Sequence, residues 1–92
     1  MNYRRELIKL VEYVIKNELP HEKSWVYAKK LRRRLFLENI KFEYRGITET
    51  FIGMVEDGKS NEEIFDWVRN ENVQYSAEAL QTSLGLIRKI FE

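Results

Sequence analysis

Residues 58–80 read Gly58-Lys59-Ser60-Asn61-Glu62-Glu63-Ile64-Phe65-Asp66-Trp67-Val68-Arg69-Asn70-Glu71-Asn72-Val73-Gln74-Tyr75-Ser76-Ala77-Glu78-Ala79-Leu80, and this stretch decides the architecture. Ser60 and Glu63 form a capping box. The Ser60 hydroxyl can accept the Glu63 N–H while the Glu63 carboxylate accepts the Ser60 N–H, so two donors that a helix start leaves orphaned are satisfied. Ile64, Trp67 and Val68 follow at helical spacing. Asn70-Glu71-Asn72 breaks the helix, Val73 and Tyr75 alternate through a short extended stretch, and Ser76 caps a last helix with Leu80, Leu84, Ile87 and Phe91 on one face. Arg88 and Lys89 fall in its final turn, where cations suit the helix dipole.

The same plan lies 33 residues upstream, where Leu31 to Met54 aligns on Ile64 to Ile87 without a gap. Leu31 and Leu35 fall on Ile64 and Val68; Ile47, Phe51 and Met54 fall on Leu80, Leu84 and Ile87. Between them Glu38-Asn39-Ile40-Lys41-Phe42 matches Glu71-Asn72-Val73-Gln74-Tyr75. The two apolar turn residues are expected to plug the angle between their helices, and Glu-Asn to supply the polar break. The repeat units are 24–57 and 60–92. Strict identity in the turns is confined to Glu-Asn, so a duplication and two unrelated helical hairpins both fit. Ankyrin or tetratricopeptide arrays share the period, but two units are too few and their signature residues are absent.

Upstream, Leu7, Leu10, Val11 and Val14, widened by Ile8 and Ile15, form the stripe of an amphipathic first helix whose other side carries Arg5, Lys9, Glu12 and Lys16. Pro20 is expected to end it. Ser24 caps a second helix with a seam of Trp25, Ala28, Leu31 and Leu35. Ile40 and Phe42 alternate in an extended stretch, and Ile47, Phe51, Met54 and Val55 build a third helix that Asp57-Gly58 stops. The expected fold is all-α, a compact single-domain bundle of about five helices with two tandem helix-turn-helix-like units.

Ninety-two residues, 43% hydrophobic and 34% charged with twelve aromatics, suit one small folded domain. Zero cysteines exclude disulfides, thiol catalysis and thiolate metal sites. His21, the single histidine, sits beside Glu22 without a nucleophile or an orienting group following in sequence. The carboxylates form no metal loop and the four glycines no phosphate cradle. The sequence therefore points to a non-enzyme with no catalytic residue, no metal and no cofactor. No uncharged run approaches the ~20 residues of a membrane span, so no membrane partner and a cytoplasmic location are expected.

The formal net charge of +1 hides an asymmetry. Residues 1–46 carry twelve Lys/Arg against six Asp/Glu, a balance of +6, and residues 47–92 carry four against nine, a balance of −5. Much of the excess is Lys29-Lys30-x-Arg32-Arg33-Arg34, with Lys41 and Arg45 following. With Leu31 and Leu35 inward, these five cations spread over the outer face of the second helix, where nucleic-acid phosphate would bind with a strong salt dependence. A plain solvated face neutralised by glutamates is the alternative. Phe36 and Leu37 continue on the basic side, either covered by the first helix or left as a docking surface. Trp25, Tyr27, Phe42 and Tyr44 interleave with the cations; Trp25 and Phe42 are expected in the core, Tyr27 and Tyr44 freer.

The segment Gly58 to Leu80, with glycine and serine before an I-x-x-x-V helix and a capped second helix, resembles the helix-turn-helix segments of phage and plasmid DNA-binding proteins. The likeness covers about a third of the chain and implies that Ala77, Glu78, Gln81 and Thr82 face bases. Its acidic residues, Glu62, Glu63, Asp66 and Glu78 among them, oppose phosphate. The expected function is a non-enzymatic nucleic-acid-binding or regulatory domain of small phage or bacterial type, with Lys29, Lys30, Arg32, Arg33 and Arg34 on phosphate and Lys41 and Arg45 secondary. The partner is then double-stranded DNA. In the rival reading it is an acidic protein surface, and a homo-oligomer follows if the +6 and −5 halves of separate copies mate.

Overall fold

The computed structural model describes residues 2–17, 24–70 and 74–89 of the chain. Its elements are α1 (Tyr3–Asn17), α2 (Ser24–Leu37), a 3-10 turn (Phe42–Tyr44), α3 (Gly46–Glu56), α4 (Asn61–Arg69) and α5 (Ala77–Lys89). Among the described residues there is no strand. The protein is an all-α bundle of five helices. α5 is the central element: α1, α3, α2 and the 3-10 turn all pack on it, and its Leu80, Leu84, Leu86 and Ile87 are buried.

The caps expected at Ser60 and Ser76 form. Ser60 Oγ accepts the Glu63 N–H at 3.2 Å and Glu63 Oε2 accepts the Ser60 N–H at 3.3 Å, completing the capping box of α4. Ser76 Oγ accepts the Ala79 N–H at 3.1 Å at the start of α5. At the end of α3, Gly58 takes φ +70°, its N–H reaches the Val55 carbonyl, and the Lys59 N–H reaches back to Met54. That is a Schellman ending, which needs a left-handed residue. α2 ends the same way with Asn39 at φ 49°, its N–H on Phe36 and the Ile40 N–H on Leu35. Asparagine tolerates this conformation better than most side chains, which gives the Glu-Asn break its physical content.

The aligned apolar positions are inward in both units. Leu31, Leu35, Ile47 and Phe51 are buried, and so are Ile64, Val68, Leu80 and Leu84. Phe51 joins the units: its ring meets Tyr27 at 6.0 Å and stands edge-on to Trp67 at 6.3 Å. Between α3 and α5 the Thr48 hydroxyl donates to Ser83 Oγ at 3.1 Å, so two fully buried hydroxyls satisfy one another.

Two expectations about the turn fail. The stretch after Asn39 is not extended, and Phe42 is 85% exposed rather than in the core. Alternation would have put Ile40 and Phe42 on one side, but the Schellman ending sends Ile40 inward and a 3-10 turn follows, with three residues per turn. Ile40 and Tyr44 are the residues that pack against the core there. The aromatic assignment also reverses at Tyr27, which is 5% exposed. It lies four residues before Leu31, on the inward face of α2. Trp25 and the Ser24 hydroxyl are side chains outside those described, and Pro20, His21, Glu22, Val73 and Phe91 lie outside the described residues altogether.

Candidate nucleic-acid interface

α2 is apolar on two sides. Ala28, Leu31 and Leu35 bury against the bundle, while Val26, Lys29, Lys30, Arg33, Phe36 and Leu37 follow one another at i, i+3, i+4, i+7, i+10 and i+11, all on the outer face. Lys29, Lys30, Arg33, Phe36 and Leu37 are exposed and Val26 is half-buried. Phe36 is 84% and Leu37 62% exposed, so the first helix does not cover them. Side chains of α2 enclose an open trough of about 530 Å³ with mostly apolar walls, lined by Val26, Lys29, Lys30, Arg32, Arg33 and Phe36. All six of these lining residues come from α2.

The seven cations singled out from sequence take three different roles. Arg32 pairs with Glu56 of α3, and Arg34 Nη1 lies 3.9 Å from Glu38. Arg45 is half-buried and its Nε donates to the Ile40 carbonyl, which ties the turn together between α2 and α3. Lys29, Lys30, Arg33 and Lys41 are exposed and have no ion-pair partner among the described residues. Glu43 is exposed in the same turn as Phe42.

Ion pairing sharpens the asymmetry between the two halves. Arg69 pairs with Glu12 at 2.7 Å, Arg88 with Glu6 at 3.5 Å and Lys89 with Glu38 at 2.6 Å. Three of the four cations of the acidic half thus meet carboxylates of the basic half. These pairs are exposed and individually worth only about 0–1 kcal/mol. Their larger effect is on the surface field: three of the six carboxylates of the first half and three of the four cations of the second are taken up in pairs, which leaves Glu43 and Lys59 as the exposed minority charges among the described residues. Glu62, Glu63 and Asp66 stand exposed on α4 as the anionic counterpart.

Sequence reading passed over a second cationic stripe. On α1, Arg5, Lys9 and Lys16 are exposed on one side around Tyr13. In the sequence these residues stand only as the polar side of an amphipathic helix; the α1 carboxylates Glu6 and Glu12 turn to Arg88 and Arg69. On α5, Ala77, Glu78 and Gln81 are exposed and Thr82 is half-buried, and the cations of that helix, Arg88 and Lys89, are both paired. Among the described residues no cluster of His, Asp and Glu is arranged to hold a metal ion, and no helix is long and apolar enough to cross a membrane. Compared with known protein families, curated proteins and solved structures, the chain matches none.

Proposed function

We propose that this chain is a non-enzymatic nucleic-acid-binding or regulatory domain that holds phosphate on the outer face of α2. The observation that carries the reading is the row Lys29, Lys30 and Arg33: three exposed cations within about 6 Å of helix rise and without a carboxylate partner among the described residues. A polyanion that docks there releases counterions, and the affinity gained falls steeply with salt. Lys41, exposed in the loop after α2, is a fourth cation without an ion-pair partner among the described residues. Arg32 and Arg34 border it and reach phosphate by exchanging Glu56 and Glu38 for the ligand; Arg45 serves the turn. The test is titration of a labelled nucleic acid at several salt concentrations with wild type and Lys29→Ala/Lys30→Ala/Arg33→Ala. The variant should lose most of its affinity, and the log–log salt slope should shrink by about 0.7–0.9 for each phosphate contact removed. Undiminished binding by a folded variant sinks the assignment.

The second reading is an adaptor, favoured by two exposed faces of opposite charge, Lys29/Lys30/Arg33 and Glu62/Glu63/Asp66, that carry no ion pair among the described residues. Self-association that salt dissolves, lost in either charge-reversed variant and restored when the two are mixed, supports it.

A further inference from the structure

We propose that the ligand of this face is single-stranded nucleic acid, with bases stacked on Phe36 and Phe42 and backbone phosphates on Lys29, Lys30, Arg33 and Lys41. The inference rests on the nucleic-acid reading above and narrows its ligand.

Phe36 and Phe42 are the most exposed large apolar side chains among the described residues. Each follows cations in sequence, Arg32-Arg33-Arg34 before Phe36 and Lys41 before Phe42. A duplex offers such rings little: its bases are stacked on one another, and it presents phosphates outside and polar base edges in the grooves. An unpaired base offers a π-face, and aromatic platforms in a cationic channel are how single strands are held without regard to sequence. The outer face of α2 also lacks groups suited to reading adenine or cytosine edges. Apart from its three cations it presents Val26, Phe36 and Leu37, with no Asn, Gln, Asp or Glu among them. The open trough of about 530 Å³ beside Phe36 is lined also by Lys29, Lys30 and Arg33, so a strand whose base stacks on Phe36 brings its phosphates within reach of these cations. Charge complementarity and two bare aromatic rings thus select the same ligand.

The experiment compares oligo(dT), a mixed-sequence duplex of equal length and phosphatidylserine vesicles, each titrated at fixed salt with wild type, Phe36→Ala/Phe42→Ala and Lys29→Ala/Lys30→Ala/Arg33→Ala. Wild type should prefer oligo(dT). The double Phe variant should lose roughly 5- to 150-fold on oligo(dT) for each stacked base removed, with its salt slope and its duplex affinity unchanged. The triple cation variant should lose affinity for both nucleic acids and show a smaller slope. Because all five side chains are exposed, the unfolding midpoints should stay near wild type, and this is checked in parallel. Equal or tighter duplex binding that the Phe variant leaves intact overturns the single-strand proposal while the phosphate reading stands. Binding to vesicles with both nucleic acids ignored, or binding to none of the three, overturns both.

Discussion

The two units that align at 33 residues bury the same four helical positions, Leu31, Leu35, Ile47 and Phe51 in one and Ile64, Val68, Leu80 and Leu84 in the other, but differ at Phe42, exposed where Tyr75 packs on the core, and in how their helices pack. In the first, α2 and α3 lie along each other and the 3-10 turn between them packs on α5. In the second, α4 lies chiefly on α1, while α5 runs through the centre against α1, α3 and α2 and does not pack along α4. A shared pattern of buried positions therefore specifies which side of each helix faces inward without specifying its neighbour. The amphipathic α1 accounts for the difference: its Leu7, Val11, Val14 and Ile15 are buried, and it lies against both α4 and α5, whereas α2 and α3 pack on each other and on α5. Charge follows the same division, since Arg69 and Arg88 fasten α4 and α5 to α1 while Arg32 links α2 to α3.

The comparison can be broken most forcefully at Phe51, the ring shared by the two units. Phe51→Ala should cost about 3–5 kcal/mol in urea unfolding, because it removes the Tyr27 and Trp67 contacts together and leaves a cavity. A loss below ~1 kcal/mol would mean that the units do not share a core. A subtler probe is Val11→Ala on α1. Two buried methyl groups at ~0.8 kcal/mol each, plus a cavity, predict a loss of about 2 kcal/mol. Hydrogen exchange should then quicken in α4 more than in α2; equal quickening would remove the distinction between the units. The smallest effect is expected at Asn39. Its positive φ predicts that Asn39→Ala costs about 1 kcal/mol while Asn39→Gly is neutral or slightly stabilising, as thermal melts would show. Matching losses for both substitutions would show that the asparagine side chain, and not the left-handed turn, holds the end of α2.

Much of this was legible because it is local. The Ser60–Glu63 box, the Gly58 stop and the inward seams at Leu31, Leu35, Ile64 and Val68 depend on residues three or four apart, and helical geometry alone relates them. Phe42 was misplaced because an exposed 3-10 turn depends on where α3 and α5 sit, and Tyr27 because its place four residues before Leu31, on the inward seam of α2, went unused. The candidate face was half legible. Its cations stand out in the sequence, yet which of them lack partners is decided by Glu56, distant in the chain, by Glu38 and by a carbonyl at Ile40.

By itself the sequence determined that the chain is helical, where α3 stops and α4 and α5 start, the inward seams at Leu31, Leu35, Ile64 and Val68, and which half carries which charge. These follow from propensity, capping and periodicity, whose range is one or two helical turns. The tertiary structure alone decided that α4 leans on α1, that Arg32, Arg34 and Arg45 have partners while Lys29, Lys30 and Arg33 have no ion-pair partner among the described residues, and that Phe36 and Phe42 are exposed. Those outcomes depend on which side chains meet across the bundle. Several arrangements bury the same stripes, and long-range packing selects among them.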